Sequence, residues 1–311
     1  MTMNARILVT PRSLTAEPHP DVERLKESGF DIIYSPAGAM PTEDELLALV
    51  PGCVGWLAGV EPVTPRIIEA ASDLKVISRN GVGVDNLPVD MLSKKGVKVM
   101  IAEGANSLGV AELTIGLIFS ALRMIPHADA GIKAGQWPRL RGMEIRGRTV
   151  GIIGCGAIGR EVARMIVALG AKVVAYDPVR PNLDLPGESF SYASVDTIVE
   201  TADVLSLHCP LPKDGSALLG RDRIFATKPG QVLINTARAR LIDEDALIDA
   251  LDAGQIGYYA TDVFEPEPPV SLRLAGHARV IATSHIGGFT AESVDRATRI
   301  AADNLLTALR N

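Results

Sequence analysis

The sequence predicts an α/β protein of two domains, each with a parallel sheet flanked by helices. Three observations carry this. Short apolar runs alternate with helical patterns and short loops along the chain. The run Val150-Gly151-Ile152-Ile153 passes straight into the Gly-x-Gly-x-x-Gly of Gly154, Gly156 and Gly159. That motif begins mid-chain, so something domain-sized precedes it, and 311 residues suffice for two domains of ordinary size.

In the first half, strands are expected at Arg6 to Thr10, Phe30 to Tyr34, Val54 to Leu57 and Val76 to Ser78. Helices are expected at Asp21 to Ser28, Glu43 to Leu49 and Pro65 to Ala71. Ser107 to Ile125 reads as one long helix. Val110, Leu113, Leu117, Ala121 and Leu122 share a face, and Ile115, Ile118 and Phe119 fill much of the rest. A helix apolar nearly all round is buried. It is either the link between domains and part of a subunit interface, or a plain core helix.

Beyond the glycine motif, a helix is expected to open at Arg160 and a strand to run from Lys172 to Tyr176. Strands follow at Val204 to Leu207, Val232 to Asn235, Gly257 to Val263 and Val280 to Ala282. Helices follow at Asp243 to Ala253 and Ala291 to Leu309, the former with acidic residues in its first turn. Both domains are therefore Rossmann-like or flavodoxin-like.

The glycine motif has a specific physical reading. Gly154 permits the tight turn, Gly156 lets backbone approach a pyrophosphate, and Gly159 lets the helix pack close to the sheet. The helix N-terminus offers free N–H groups to phosphates. Asp177, at the end of the next strand, suits the hydroxyls of an adenosine ribose. Strand, triplet, helix, strand and terminal acid together point to a bound dinucleotide.

Composition narrows the class. Apolar residues make up 47% and charged residues 22%, as in a soluble globular protein. Aromatics are 4%, so the core relies on Ala, Val, Ile and Leu. The net charge of −6 argues against nucleic acid or an anionic membrane surface as a partner. No apolar run spans a bilayer, and Met1 to Thr10 lacks a cleavable signal pattern. Cys53, Cys155 and Cys209 form no CxxC pair and no metal spacing, which fits a reducing cytoplasm.

Three further segments sit at expected strand ends: Asn235-Thr236-Ala237-Arg238, Asp262 to Pro268, and Ser284-His285-Ile286-Gly287-Gly288. Ligands of open α/β sheets bind beyond the carboxyl ends of strands. An Arg, a Glu and a His thus converge near the nicotinamide end of the cofactor. Hydride transfer from a hydroxy acid needs these types. Arg holds a carboxylate, His carries the hydroxyl proton, and a carboxylate beside the His favours imidazolium. Each has a blander reading. His285 could cap a Gly-Gly turn, Glu265 rivals Glu267, and Arg240 rivals Arg238. Asp262 either touches the nicotinamide or caps a strand end. His208 reads as a strand end, and His19, His127 and His277 as solvated. Asn80-Gly81-Val82-Gly83 either exposes N–H groups to a substrate carboxylate or is a tight turn.

These segments resemble the D-isomer-specific 2-hydroxyacid dehydrogenase family, which includes D-3-phosphoglycerate dehydrogenase. The resemblance covers nearly the whole chain. It includes Arg79 to Asn86, Ala111-Glu112, the glycine motif, His208-Cys209-Pro210-Leu211, Asn235 to Arg238, Asp262 to Pro268, and His285 to Gly288. It implies catalysis by Arg238, Glu267 and His285, with NAD as cofactor. It places Gly154, Gly156, Ala157, Ile158, Gly159, Asp177, His208, Cys209, Pro210, Thr236, Ala237, Arg238, Asp262, His285 and Gly287 against that cofactor. Arg79, Asn80, Gly81, Val82, Arg238 and His285 would meet the substrate. One departure is Ala239, where the family has glycine.

The resemblance also implies a split substrate domain, 1–104 with 287–311, a cofactor domain over 105–286, and an active-site cleft between them. A homodimer joined through the cofactor domains would follow, with Trp137 in a polar loop after the long helix. The expected activity is hydride transfer between a nicotinamide and C2 of a small D-2-hydroxy acid or 2-oxo acid, without a metal, in the cytoplasm. D-3-phosphoglycerate dehydrogenase of serine biosynthesis is an alternative. Relatives of that kind hold the phosphate with basic side chains, and Trp56 to Val60 here offers no Arg or Lys. Arg79, or Arg139 or Arg141 from a partner subunit, would remain for it. A short or polyhydroxylated acid is therefore favoured. An NAD(H)-sensing corepressor is the competitor from another class; the Arg, Glu and His argue against it, and no interaction tail follows Asn311.

Overall fold

A computed structural model describes residues 5–310; expectations for the two chain ends at Met1–Asn4 and Asn311 lie outside the described residues. The chain forms two compact units, residues 5–106 with 290–310, and residues 107–289.

The first unit carries five strands: β1 (Arg6–Val9), β2 (Asp31–Tyr34), β3 (Cys53–Ala58), β4 (Val76–Arg79) and β5 (Lys98–Ile101). They pair in parallel in the order β2-β1-β3-β4-β5. The middle strands are mostly apolar and buried because helices cover both faces. On one face Leu46, Ile67, Ile68 and Leu92 pack with Leu8 and Trp56. On the other, Ala301, Ala302 and Leu305 of the last helix, Ala291–Arg310, pack with Ile7, Val9 and Leu57. The helix Glu43–Leu49 begins in a capping box. Thr42 accepts the Glu45 N–H, and Glu45 accepts the Thr42 N–H.

The second unit carries seven: β6 (Thr149–Ile153), β7 (Lys172–Tyr176), β8 (Phe190–Tyr192), β9 (Val204–Leu207), β10 (Gln231–Asn235), β11 (Ile256–Thr261) and β12 (Val280–Ala282). All pair in parallel, in the order β12-β11-β10-β9-β6-β7-β8. The strand order reverses between β9 and β6, the switch point at which such sheets bind ligands.

The long helix, Ser107–Arg123, is a core helix of this unit. Ala111, Leu117, Ile118, Ala121 and Leu122 pack with Val162, Ala163 and Ile166 of the helix Ala157–Ala168. That helix opens at Ala157, not at Arg160. The Gly156 carbonyl accepts the Arg160 N–H at 3.1 Å, so Gly159 lies inside the first turn. Short elements with little burial add to the expected set, including β5, β8 and the helices Val89–Lys94 and Ile125–Lys133. Among the described residues no single helix is long and apolar enough to cross a membrane.

Candidate active site

The glycine turn is built by close contact. Gly154 has φ +99°, and its N–H donates to Tyr176 at 2.8 Å. A Cβ there would lie 2.4 Å from the His208 carbonyl oxygen, and one at Gly159 would lie 1.9 Å from the Gly154 carbonyl oxygen. Only glycine fits either place. Gly156 and Ala157 are exposed at the mouth of this cradle, Ile158 is half-buried, and the first helical N–H groups have no intrahelical partner.

Asp177 closes the cradle from the end of β7. Its Oδ2 accepts the Cys155 N–H at 2.8 Å and its Oδ1 the Val179 N–H at 2.9 Å. A carboxylate has about four acceptor sites, so capacity remains for ribose hydroxyls. His208 ends β9, with its Nε2 2.8 Å from Ser206 Oγ. Its Nδ1 is buried without a hydrogen-bond partner, and burial pushes its pKa down to about 4, so the ring is neutral. Burial also pushes the Cys155 and Cys209 thiols up to about 11, which leaves them inert as nucleophiles. Cys209 is half-buried and Pro210 exposed. A cradle that side chains would fill and an orphaned ring nitrogen fit a dinucleotide such as NAD.

The remaining groups gather at the ends of β10, β11 and β12. Asn235 holds the turn after β10, accepting the Ala237 N–H at 3.0 Å and donating to the Arg238 carbonyl at 2.9 Å. Thr236 Oγ1 lies 3.1 Å from the Thr114 hydroxyl, a partner the sequence did not suggest. Arg238 Nη1 donates to the Ala237 carbonyl, and Arg240 is exposed.

Asp262, 2% exposed, accepts three hydrogen bonds. Thr283 Oγ1 donates at 2.6 Å, the Ile286 N–H at 2.9 Å and the Gly287 N–H at 2.8 Å. Asp262 thus clamps the loop after β12, and the Gly287 N–H is committed to it. That loop holds His285 at φ +56°, a region L residues enter at a cost.

His285 Nδ1 lies 2.7 Å from Glu267 Oε2, while Glu267 Oε1 accepts the Phe264 N–H at 2.9 Å. Glu265 is exposed. The hydrogen bond to Glu267 raises the His285 pKa, against burial and the Arg238 charge, which lower it. Burial pushes Glu267 up, but the His285 and Phe264 hydrogen bonds outweigh it and hold the carboxyl below its ordinary range. The Arg238 charge acts on both members of the pair.

In the first unit Arg79 is committed to backbone rather than to solvent. Arg79 is 5% exposed. Its Nε donates to the Gly83 carbonyl at 2.8 Å, and its Nη1 to the carbonyls of Ala58 and Gly59. It braces the loop after β4 from inside. Asn80 and Gly81 are half-buried and Val82 is exposed on that loop. Among the described residues no cluster of His, Cys, Asp or Glu is placed to hold a metal ion.

Comparison with known proteins agrees with this geometry. Residues 115–287 match the family model for the D-isomer specific 2-hydroxyacid dehydrogenase, NAD binding domain. A hydroxypyruvate reductase of Thermotoga maritima is 40% identical over 260 residues, 82% of this chain and 84% of the reductase. A D-3-phosphoglycerate dehydrogenase of Methanocaldococcus jannaschii is 43% identical over 253 residues, 80% of this chain but 48% of that protein. The chain therefore spans about half the length of the latter kind of relative. The crystal structure of a glyoxylate reductase from Paecilomyes thermophila superposes with a TM-score of 0.86 at 28% identity, over 100% of this chain and 97% of that one. With the NAD cradle, the Glu267–His285 pair and these matches in hand, the chain belongs to the D-isomer specific 2-hydroxyacid dehydrogenase family and is an NAD-dependent oxidoreductase.

Proposed function

We propose that this enzyme interconverts a short, unphosphorylated 2-oxo acid and its D-2-hydroxy acid, in the cytoplasm, as a homodimer. The observation that carries the chemistry is the 2.7 Å contact of His285 with Glu267, beside Arg238. Bound NAD supplies hydride transfer at C2 of the substrate. Arg238 holds the substrate carboxylate and polarises its C2 oxygen. His285 Nε2, the nitrogen that Glu267 leaves unengaged, gives a proton to that oxygen in reduction and takes it back in oxidation. Glu267 orients the ring and stabilises imidazolium. Asp262 keeps the His285 loop in place. Asn80, Gly81 and Val82 are the other residues to which we assign substrate contact, with Arg79 behind them.

The cradle of Gly154, Gly156, Ala157, Ile158 and Gly159 would hold the pyrophosphate, and Asp177 the ribose diol. Cys209, Pro210, Thr236 and Ala237 would line the cofactor. Asp177 repels a 2′-phosphate. NAD is expected to be preferred over NADP by at least about tenfold in kcat/KM, or roughly 1.4 kcal/mol. The deciding experiment is a panel of 2-oxo and 2-hydroxy acids with both cofactors, followed by absorbance of the reduced form. Turnover of glyoxylate or hydroxypyruvate with NADH supports the reading. Equal use of both cofactors removes the role of Asp177, and no turnover with any acid removes the substrate reading.

Glu267→Gln tests the pair. His285 has a raised pKa in the folded enzyme because of Glu267, so its proton is present below that pKa and lost as pH rises through it. Removing the carboxylate lowers that pKa. Reduction of the oxo acid is then expected to fall away at lower pH than in wild type, and oxidation to begin at lower pH. A superimposable pH profile contradicts the coupling.

The dimer reading rests on the resemblance and on apolar exposure along one segment. Leu108, Ile125, Ile132, Trp137 and Leu140 are exposed, Trp137 by 81%. An apolar set of this kind marks an interaction surface. Light scattering at micromolar concentration is expected to give twice the mass of the 33.0 kDa chain, and a clean monomer refutes it.

A further inference from the structure

At the carboxyl ends of β1, β3 and β4 lies a buried charge cluster that the roles above leave unused. Glu61 is 2% exposed and Arg79 5%. The Glu61 carboxylate accepts the Gly59 N–H at 3.0 Å and the Thr10 hydroxyl. Trp56 Nε1 donates to Thr10 Oγ1 at 2.9 Å, which turns that hydroxyl toward Glu61. Arg79 Nη1 donates to the Gly59 carbonyl. The carboxylate and the guanidinium therefore grip the two ends of one residue. A Cβ on Gly59 would lie 2.6 Å from Glu61 Oε2 and 3.1 Å from Pro11 Cα, so the carboxylate lies where only glycine admits it. Asn86 Nδ2 fixes the Glu61 carbonyl at 2.7 Å.

A backbone N–H and a hydroxyl beside a guanidinium charge form a donor set that suits an external phosphate or carboxylate. Here an internal carboxylate takes the N–H and the hydroxyl, while the Arg79 guanidinium donates to carbonyls. Burial draws the Glu61 carboxyl up and the Arg79 guanidinium down, and the charge of each opposes the shift in the other. Arg79 Nε reaches the Gly83 carbonyl at 2.8 Å, so the paired charges sit against the Asn80–Gly83 loop.

We propose that Glu61 determines the substrate class: it is the chain's own anion in this donor set, so the loops after β3 and β4 take a 2-oxo acid with one carboxylate and discriminate against one with a second anionic group. The inference rests on the substrate reading given above. With Arg79 neutralised from inside, a phosphate or second carboxylate meets no counter-charge from it. Charge effects at a buried pair are large because little water screens them. Glu61 and Asp85 both act on the Arg79 charge, so removing the Glu61 carboxylate leaves Asp85 alone against it and shifts the local potential behind Asn80, Gly81 and Val82 toward positive.

The test is kcat/KM of the full chain with NADH for hydroxypyruvate and for its 3-phosphate, in wild type and Glu61→Gln. Wild type is expected to favour hydroxypyruvate by more than about thirtyfold, and Glu61→Gln to narrow that ratio by at least about tenfold. An unchanged ratio in folded Glu61→Gln overturns the proposal, and so does a wild type that uses the phosphate equally well. Should Glu61→Gln not fold, the double replacement Glu61→Met with Arg79→Met takes its place, since apolar substitutes for a buried pair are often tolerated. With no cation released, its ratio is expected to stay within about threefold of wild type, and a tenfold swing toward the phosphate overturns the proposal. Absence of turnover with every 2-oxo acid is a different result: it removes the substrate reading itself.

Discussion

His285→Ala is expected to lower kcat by about two to four orders of magnitude, the span that a positioned general acid–base supplies. The structure gives the reason. Glu267 takes His285 Nδ1 at 2.7 Å and leaves Nε2 as the proton carrier. Alanine removes the carrier and leaves Arg238 and the cofactor cradle intact. The loss therefore falls on kcat, while NAD affinity, read by fluorescence titration, changes little. Both directions of the reaction should suffer together, because one group donates in reduction and accepts in oxidation. A fall of less than about tenfold would mean that water or another side chain moves the proton, and the assignment of His285 would be wrong.

Gly154→Ala is expected to damage both the fold of the cofactor unit and its NAD site. The residue has φ +99°, and the new Cβ would lie 2.4 Å from the His208 carbonyl oxygen and 2.6 Å from its carbon. Those atoms are backbone and cannot swing aside. A left-handed conformation at a non-glycine residue costs about 1–2 kcal/mol. Overpacking adds about 1–3 kcal/mol. The midpoint of urea unfolding should fall accordingly, and NAD binding should weaken because the turn before the helix Ala157–Ala168 shifts. A variant with wild-type midpoint and wild-type NAD affinity would show that the turn relaxes without cost.

Strands that lie deep in a sheet are legible in sequence, as are the edge strands Asp31–Tyr34 and Val280–Ala282, but two other edge strands are not. Val204–Leu207 and Lys172–Tyr176 fall on the residues expected, because an apolar run bounded by turn residues has one reading. The edge strands Lys98–Ile101 and Phe190–Tyr192 contain no fully buried residue, and the helix Ile125–Lys133 buries none either, so no periodic apolar signal marks them. The helix start was displaced by three residues because the third glycine looks like a boundary, whereas packing against Gly154 puts it inside the first turn.

The same logic divides the site. Arg238, Glu267 and His285 stand out as residue types at strand ends. Their mutual geometry does not, since the contact between residues 267 and 285 depends on how the loops after β11 and β12 fold back. The Asp262 clamp likewise needs the positions of Thr283, Ile286 and Gly287 in space. Arg79 reads as an available cation in sequence, and only its burial assigns it to backbone carbonyls. Glu61 looks like any solvated acid before a proline. What marks it is Thr10, 51 residues earlier, at the end of the neighbouring strand.

The last helix, Ala291–Arg310, packs on the sheet of the first unit, whose strands are all encoded before residue 102. On the ribosome those strands emerge early, with Leu14, Val22 and Leu25 of two early helices on that face, yet the rest of its cover comes only with residues 291–310. Residues 107–289 complete their own sheet and helices without the C-terminal helix. Translation order thus does not set the order in which the two units complete their sheets. The segment synthesised second carries all of its own cover, whereas Ile7, Val9 and Leu57 gain the part supplied by Ala301, Ala302 and Leu305 only from a helix translated about 190 residues later.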